Sequence, residues 1–123
     1  MIGIDTTFFG HEEIRNGKLS LSTSIFTADL LDAFAQMGRS QDFCLVVNYN
    51  HEDFFRRRFP HYKICAVKNP LVTLAKRITG KPLTKYLKKL GSYRRAVQKM
   101  NLDFIWFPFA IPQTFVKTGI PSA

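Results

Sequence analysis

Apolar and polar residues alternate along this chain in two rhythms. Four short apolar runs, IGID (Ile2 to Asp5), DFCLVVN (Asp42 to Asn48), YKICAVKN (Tyr62 to Asn69) and DFIWFPF (Asp103 to Phe109), are too short for buried helices. They predict strands buried on both faces. Between them the apolar spacing becomes helical. Phe26, Leu30, Ala33/Phe34 and Met37 mark an amphipathic helix from about Ser22, with Gly38 as its stop. HEDFFRRRF (His51 to Phe59) predicts a short helix ended by Pro60. Leu71, Leu74/Ala75 and Ile78 keep the helical period until GKP (Gly80 to Pro82), and Leu83, Tyr86/Leu87 and Leu90 resume it. Ser92 suits the N-cap of a last helix with Tyr93, Ala96/Val97 and Met100 on one face and Arg94, Arg95, Gln98 and Lys99 on the other.

Strands alternating with helices predict parallel βαβ units with right-handed crossovers. The expected fold is α/β: a Rossmann-like parallel sheet of about four strands in order 3-2-1-4 with flanking helices. In such a sheet the ligand crevice lies beyond the carboxyl ends of the strands, here between strands one and four. Two loops meet there, FFGHEEIRNGK (Phe8 to Lys18) and PFAIPQTF (Pro108 to Phe115), and the first runs toward a helix N-terminus that favours an anion. The order also leaves the apolar strand four as a bare edge, a hazard that native proteins cover. KTGIP (Lys117 to Pro121) reads as the run-up to a fifth strand.

At 123 residues the chain accommodates one domain, 1–123, without internal repeats. MIGIDTTFFG lacks the basic and apolar regions of a signal peptide, and no run reaches the roughly 18 apolar residues of a membrane span. A cytoplasmic location is the expectation. Cys44 and Cys65 lie in apolar strands, where buried free thiols are the expectation and a disulfide the less favoured alternative.

Charge changes the picture. Residues 1–53 hold three basic and eight acidic residues, a balance of −5, whereas residues 54–102 hold fourteen basic residues and no acid. A stretch with only positive charge favours an anionic partner. Lys76, Arg77, Lys81, Lys85, Lys88, Lys89, Arg94, Arg95 and Lys99 flank apolar faces, the pattern of a helix lying peripherally on the anionic inner face of a membrane. The plainer reading is a solvated face whose leucines enter the core. Nucleic acid is a lesser alternative: FFRRRF offers stacking partners, without a known RNA- or DNA-binding signature.

The loop after strand one carries the first candidate site. Gly10 and Gly17 would let backbone approach a ligand, and Arg15, Asn16 and Lys18 would meet phosphate or sugar hydroxyls. A plain surface loop fits the spacing equally well, since it is no dinucleotide fingerprint or P-loop. His11 stands beside Glu12 and Glu13, but adjacent residues point different ways, and His51 and His61 lack ligand spacing. Neither metal nor cofactor is expected, and no residue is singled out as catalytic. At the switch point Phe107, Pro108, Phe109 and Pro112 suit strand termination and core closure, with Pro108 and Phe109 as substrate-contact candidates.

Together, IGID, the loop bearing Gly10 and Gly17, SIFTADLLDAFAQMG, DFIWFPF and above all PFAIPQTFVKTGIP resemble the N-terminal domain of the family 4 glycosyltransferases, whose GT-B fold sets two Rossmann-like domains across a cleft. In that family a D-hydrophobic-hydrophobic-W/H-F-P strand precedes a proline loop and K-x-G-I-P, which leads into a strand ending in His-Asp. The middle basic region follows no family pattern, and the His-Asp end is absent from this sequence.

The resemblance implies the acceptor-binding portion of an enzyme that moves sugar from a nucleotide-sugar to a glycan or lipid-linked acceptor. The donor would be held by a C-terminal domain with an E-x7-E pair of glutamates, which this sequence lacks. As a truncated or split portion, the chain is expected to be inactive alone and to self-associate through the strand-four edge. The alternative from another class is a stand-alone basic α/β module that binds anionic membrane or nucleic acid.

Overall fold

A computed structural model describes residues 1–68, 92–108 and 118–123. The helical spacing anticipated from Leu71 to Leu90, with Lys76, Arg77, Lys81, Lys85, Lys88 and Lys89, lies outside the described residues. So do Phe109 and most of the proline loop.

The four apolar runs form the sheet. Strands β1 (Ile2–Asp5), β2 (Phe43–Asn48), β3 (Lys63–Val67) and β4 (Phe104–Trp106) are all parallel, in the order β3-β2-β1-β4. This is the Rossmann-like 3-2-1-4 arrangement anticipated above. Both faces are covered, which is why the runs are continuously apolar. On one face Ile4, Leu45, Val47 and Ile64 pack with Phe8, Phe9, Leu31, Phe55, Phe59 and Tyr62; on the other, Cys44, Val46, Val67 and Ile105 pack with Tyr93, Val97 and Leu102.

Among the described residues, three helices occupy the first face or its margin: α1 (His11–Asn16), α2 (Ser22–Gln36) and α3 (Glu52–Arg58). Helix α2 ends where Gly38 was expected to stop it. Gly38 adopts φ +71°, its N–H donates to Ala35 O, and the N–H of Arg39 reaches back to Phe34 O. This left-handed cap satisfies two carbonyls that the helix leaves open. Residues 92–98 are helical on the opposite face. Ser92 already stands inside that helix, whose faces match expectation: Tyr93 and Val97 are fully buried, and Arg94, Arg95, Gln98 and Lys99 are exposed.

The inward face of α2 differs from the expected stripe. Ser24, Thr27, Ala28 and Leu31 are buried, while Phe26 and Met37 remain 59% and 70% exposed. Small hydroxyl residues face inward here because each hydroxyl is satisfied: Ser24 Oγ donates to Glu13 and Thr27 Oγ1 to Thr23 O. With apolar residues on two sides of the helix, periodicity could not choose between them.

Two further expectations change. Cys44 and Cys65, anticipated as free thiols, are brought side by side across β2 and β3. They stand on one face of adjacent strands with Cα atoms 6.6 Å apart, within the span a disulfide bridges. The edge of β4 is also not bare. Ile105 and Phe107 donate their N–H groups to Pro121 O and Ala123 O, and Ala123 N–H returns a bond to Ile105 O, so residues 121–123 align parallel to β4. The main-chain donors of Ile105 and Phe107 on that edge therefore already have partners.

Candidate functional site

Beyond the carboxyl end of β1 the chain folds back on itself immediately. Asp5 is fully buried and accepts from the Thr7 N–H (2.9 Å), the Thr7 hydroxyl (2.6 Å) and the Tyr93 hydroxyl (2.5 Å). Burial raises its pKa above the ordinary carboxylate value, against the hydrogen bonds that pull it down. Tyr93 is raised in turn by its own burial and by Asp5. Thr6 closes the turn through its N–H and hydroxyl, both donating to Val46 O.

The stretch anticipated as an open loop contains α1, and its two glycines are the ends of that helix. Gly10 is the N-cap and Gly17, at φ +66°, the left-handed C-cap. The Gly17 N–H reaches Ile14 O and the Lys18 N–H reaches Glu13 O. Arg15, Asn16, Gly17 and Lys18 are all exposed around this C-terminal end. The carbonyl end of a helix attracts cations, so these basic groups have a helix-stabilising role whether or not a ligand approaches.

Glu13 is buried and serves as the anchor of this region. Its Oε1 accepts from the Ser20 and Leu21 N–H groups at 2.8 and 2.7 Å; its Oε2 accepts from the Gly10 N–H at 2.9 Å and the Ser24 hydroxyl at 3.1 Å. Burial works to raise its pKa, but these hydrogen bonds prevail and hold it below the usual value. The N-terminus of α2, expected to favour an external anion, therefore holds the protein's own carboxylate. A glycine N-cap followed by Glu at the third helical position is half of a capping box, a spacing visible in the sequence.

The histidines divide between the two ends of the sheet. His11 Nδ1 lies 3.1 Å from His51 Nε2, with the rings stacked at 5.4 Å, although 40 positions separate them. His11 is exposed and His51 buried, at the turns that follow β1 and β2. One ring must donate and the other accept, so the contact accommodates one shared proton and opposes a second charge. Burial and the neighbouring His11 both lower the pKa of His51. His61 lies before β3, at the amino end. Among the described residues no third His, Cys, Asp or Glu completes a metal-binding group with the pair.

At the end of β4, Phe107 packs against both cores and Pro108 is half-buried. These suit the expected strand-ending role. Another concavity, of about 710 Å³, opens at the opposite, amino end of the sheet beside Met1, Phe43 and Phe104. Its charges are already paired, Arg39 with Asp42 and the N-terminal amine with Asp103.

The basic segment is less uniformly free than its sequence suggests. Arg58 forms a two-pronged bond to Asp32 of α2 at 2.8 and 2.7 Å, and Arg56 pairs with Glu52. Within FFRRRF, Phe55 and Phe59 are buried, which removes them as stacking partners for nucleic-acid bases. Arg94, Arg95 and Lys99 are exposed on the opposite side of the sheet. No described helix is long and apolar enough to cross a membrane.

Comparison with protein-family models, with curated proteins and with solved structures yields no match.

Proposed function

We propose that this chain is the acceptor-side, N-terminal Rossmann-like portion of a GT-B glycosyltransferase, acting with a donor-binding domain that the 123-residue sequence does not contain. The observation that carries the reading is the pairing of residues 121–123 beside β4, beginning at the proline that closes the K-T-G-I-P sequence. In the resembled family that motif leads into the next strand of the same sheet.

The carboxyl ends of β1 and β4 then form one wall of the cleft. Exposed His11, the Thr6–Phe9 turn and Pro108 are the features nearest that wall. The acceptor is a glycan or a lipid-linked sugar, and transfer requires the donor diphosphate to be brought against it by the second domain.

Detection of the native gene product in its source cells with an antibody raised against this chain tests the reading. A product roughly three times this length has room for the second domain and supports it. A product of 123 residues contradicts it and favours a small basic binding module.

A further inference from the structure

Next to the end of β3, a concavity of about 400 Å³ opens against the helix of residues 92–98, lined by Lys68, Ser92, Arg95 and Lys99 with Ala66 and Met100 among its apolar walls. Positions 92, 95 and 99 fall on one helical face. Tyr93 and Val97, on the other face, enter the core and fix the orientation of that helix.

Three cations thus share one hollow, and among the described residues no Asp or Glu lines it. Residues 54–102 contain neither Asp nor Glu. Elsewhere Asp32, Asp42, Glu52 and Asp103 are held in ion pairs, and Asp5 and Glu13 are enclosed by hydrogen bonds. Lys68 has one further contact, its Nζ lying 5.5 Å from the Tyr49 ring centroid.

We propose that Lys68, Ser92, Arg95 and Lys99 form a binding site for a phosphate group, carried by a soluble diphosphate or by a lipid headgroup. The donor types suit that ligand. The planar guanidinium of Arg95 matches two phosphate oxygens, the lysines add point charges, and the Ser92 hydroxyl supplies a neutral donor. Like charges gathered around one concavity repel, and a bound anion relieves that repulsion. The site stands independently of the glycosyltransferase reading, because it involves neither the crevice between β1 and β4 nor a second domain.

The test compares two double variants of equal charge loss, Arg95→Gln/Lys99→Gln in the hollow and Lys63→Gln/Arg94→Gln outside it, all at exposed positions. Binding of inorganic pyrophosphate is measured by calorimetry, and binding to phosphatidylcholine vesicles with and without phosphatidic acid by sedimentation. The expected result is that the chain binds pyrophosphate, the phosphatidic acid vesicles or both, and that the hollow variant loses about tenfold in affinity while the outside variant loses under about threefold. Lys68→Gln, on the strand side, should weaken the same ligand. Pyrophosphate binding assigns the site to soluble phosphates, and binding to acidic vesicles alone assigns it to a headgroup. Binding to neither, or an equal loss in the two double variants, overturns the proposal.

Discussion

The Tyr93 hydroxyl donates to the Asp5 carboxylate at 2.5 Å, joining the helix of residues 92–98 to the end of β1 across 88 positions of sequence. Both residues are fully buried. Tyr93→Phe keeps the ring packing and removes one donor from a carboxylate shut away from water. The expected cost is about 1–3 kcal/mol, read from urea unfolding. An unchanged midpoint would mean that the bond contributes nothing to holding this helix in place.

Glu13 gives a pH signature of definite sign. Its folded pKa is depressed below 4.5, so its contribution is present above 4.5 and is lost as pH falls through that value toward the folded pKa. Glu13→Gln should cost about 1–3 kcal/mol at neutral pH, and the deficit should shrink as pH falls below 4.5. Asp5, whose pKa is raised, contributes with the opposite slope, so the informative quantity is the difference between variant and native chain. A deficit that stays constant across this range would contradict the anchoring role.

For His51 the sign is the same as for Glu13, because its folded pKa is also depressed, and only the pH window differs. A base whose folded pKa lies below 6.5 favours the folded state above 6.5, and that advantage is lost as pH falls from 6.5 through the depressed value. Proton NMR should show His51 titrating below 6.5, and His11→Asn should move its midpoint upward by removing the neighbouring charge. A midpoint unaffected by that substitution would separate the two rings energetically.

Two glycines test the backbone account. At Gly17 the φ of +66° is the constraint, because an added Cβ meets nothing within 4 Å. Gly17→Ala should cost about 1 kcal/mol and Gly17→Asn less. At Gly3 the constraint is space, since a Cβ would stand 2.5 Å from Leu102 Cδ1 in the core. Gly3→Ala should cost about 1–3 kcal/mol, partly recovered by Leu102→Val. Thermal unfolding of the single and double variants distinguishes the two mechanisms.

These relationships show how far the sequence could be read. Continuous apolar runs announced β1 to β4, because a parallel sheet covered on both faces needs them, and Gly38 announced the end of α2 through its left-handed cap. The inward face of α2 was not legible: Phe26 and Met37 look like core residues, yet buried hydrogen bonds made Ser24 and Thr27 the better neighbours of the sheet. The candidate site was legible only in outline. Gly10 and Gly17 stand out in the sequence as candidate ligand contacts, and the structure adds that they cap α1. The His11–His51 contact depends on two turns brought together by parallel strand pairing, and local spacing carries no trace of it. The hollow around Lys68 and Arg95 likewise exists only once β3 and the later helix pack together.

The most direct test of the central claim is sugar transfer by the native gene product, isolated with an antibody against this chain and supplied with labelled nucleotide-sugars and lipid-linked or glycan acceptors. The account predicts nucleotide-sugar-dependent labelling of an acceptor by that product and none by the 123-residue chain alone. Labelling by the isolated chain, or no transfer by the native product from any nucleotide-sugar, would contradict it.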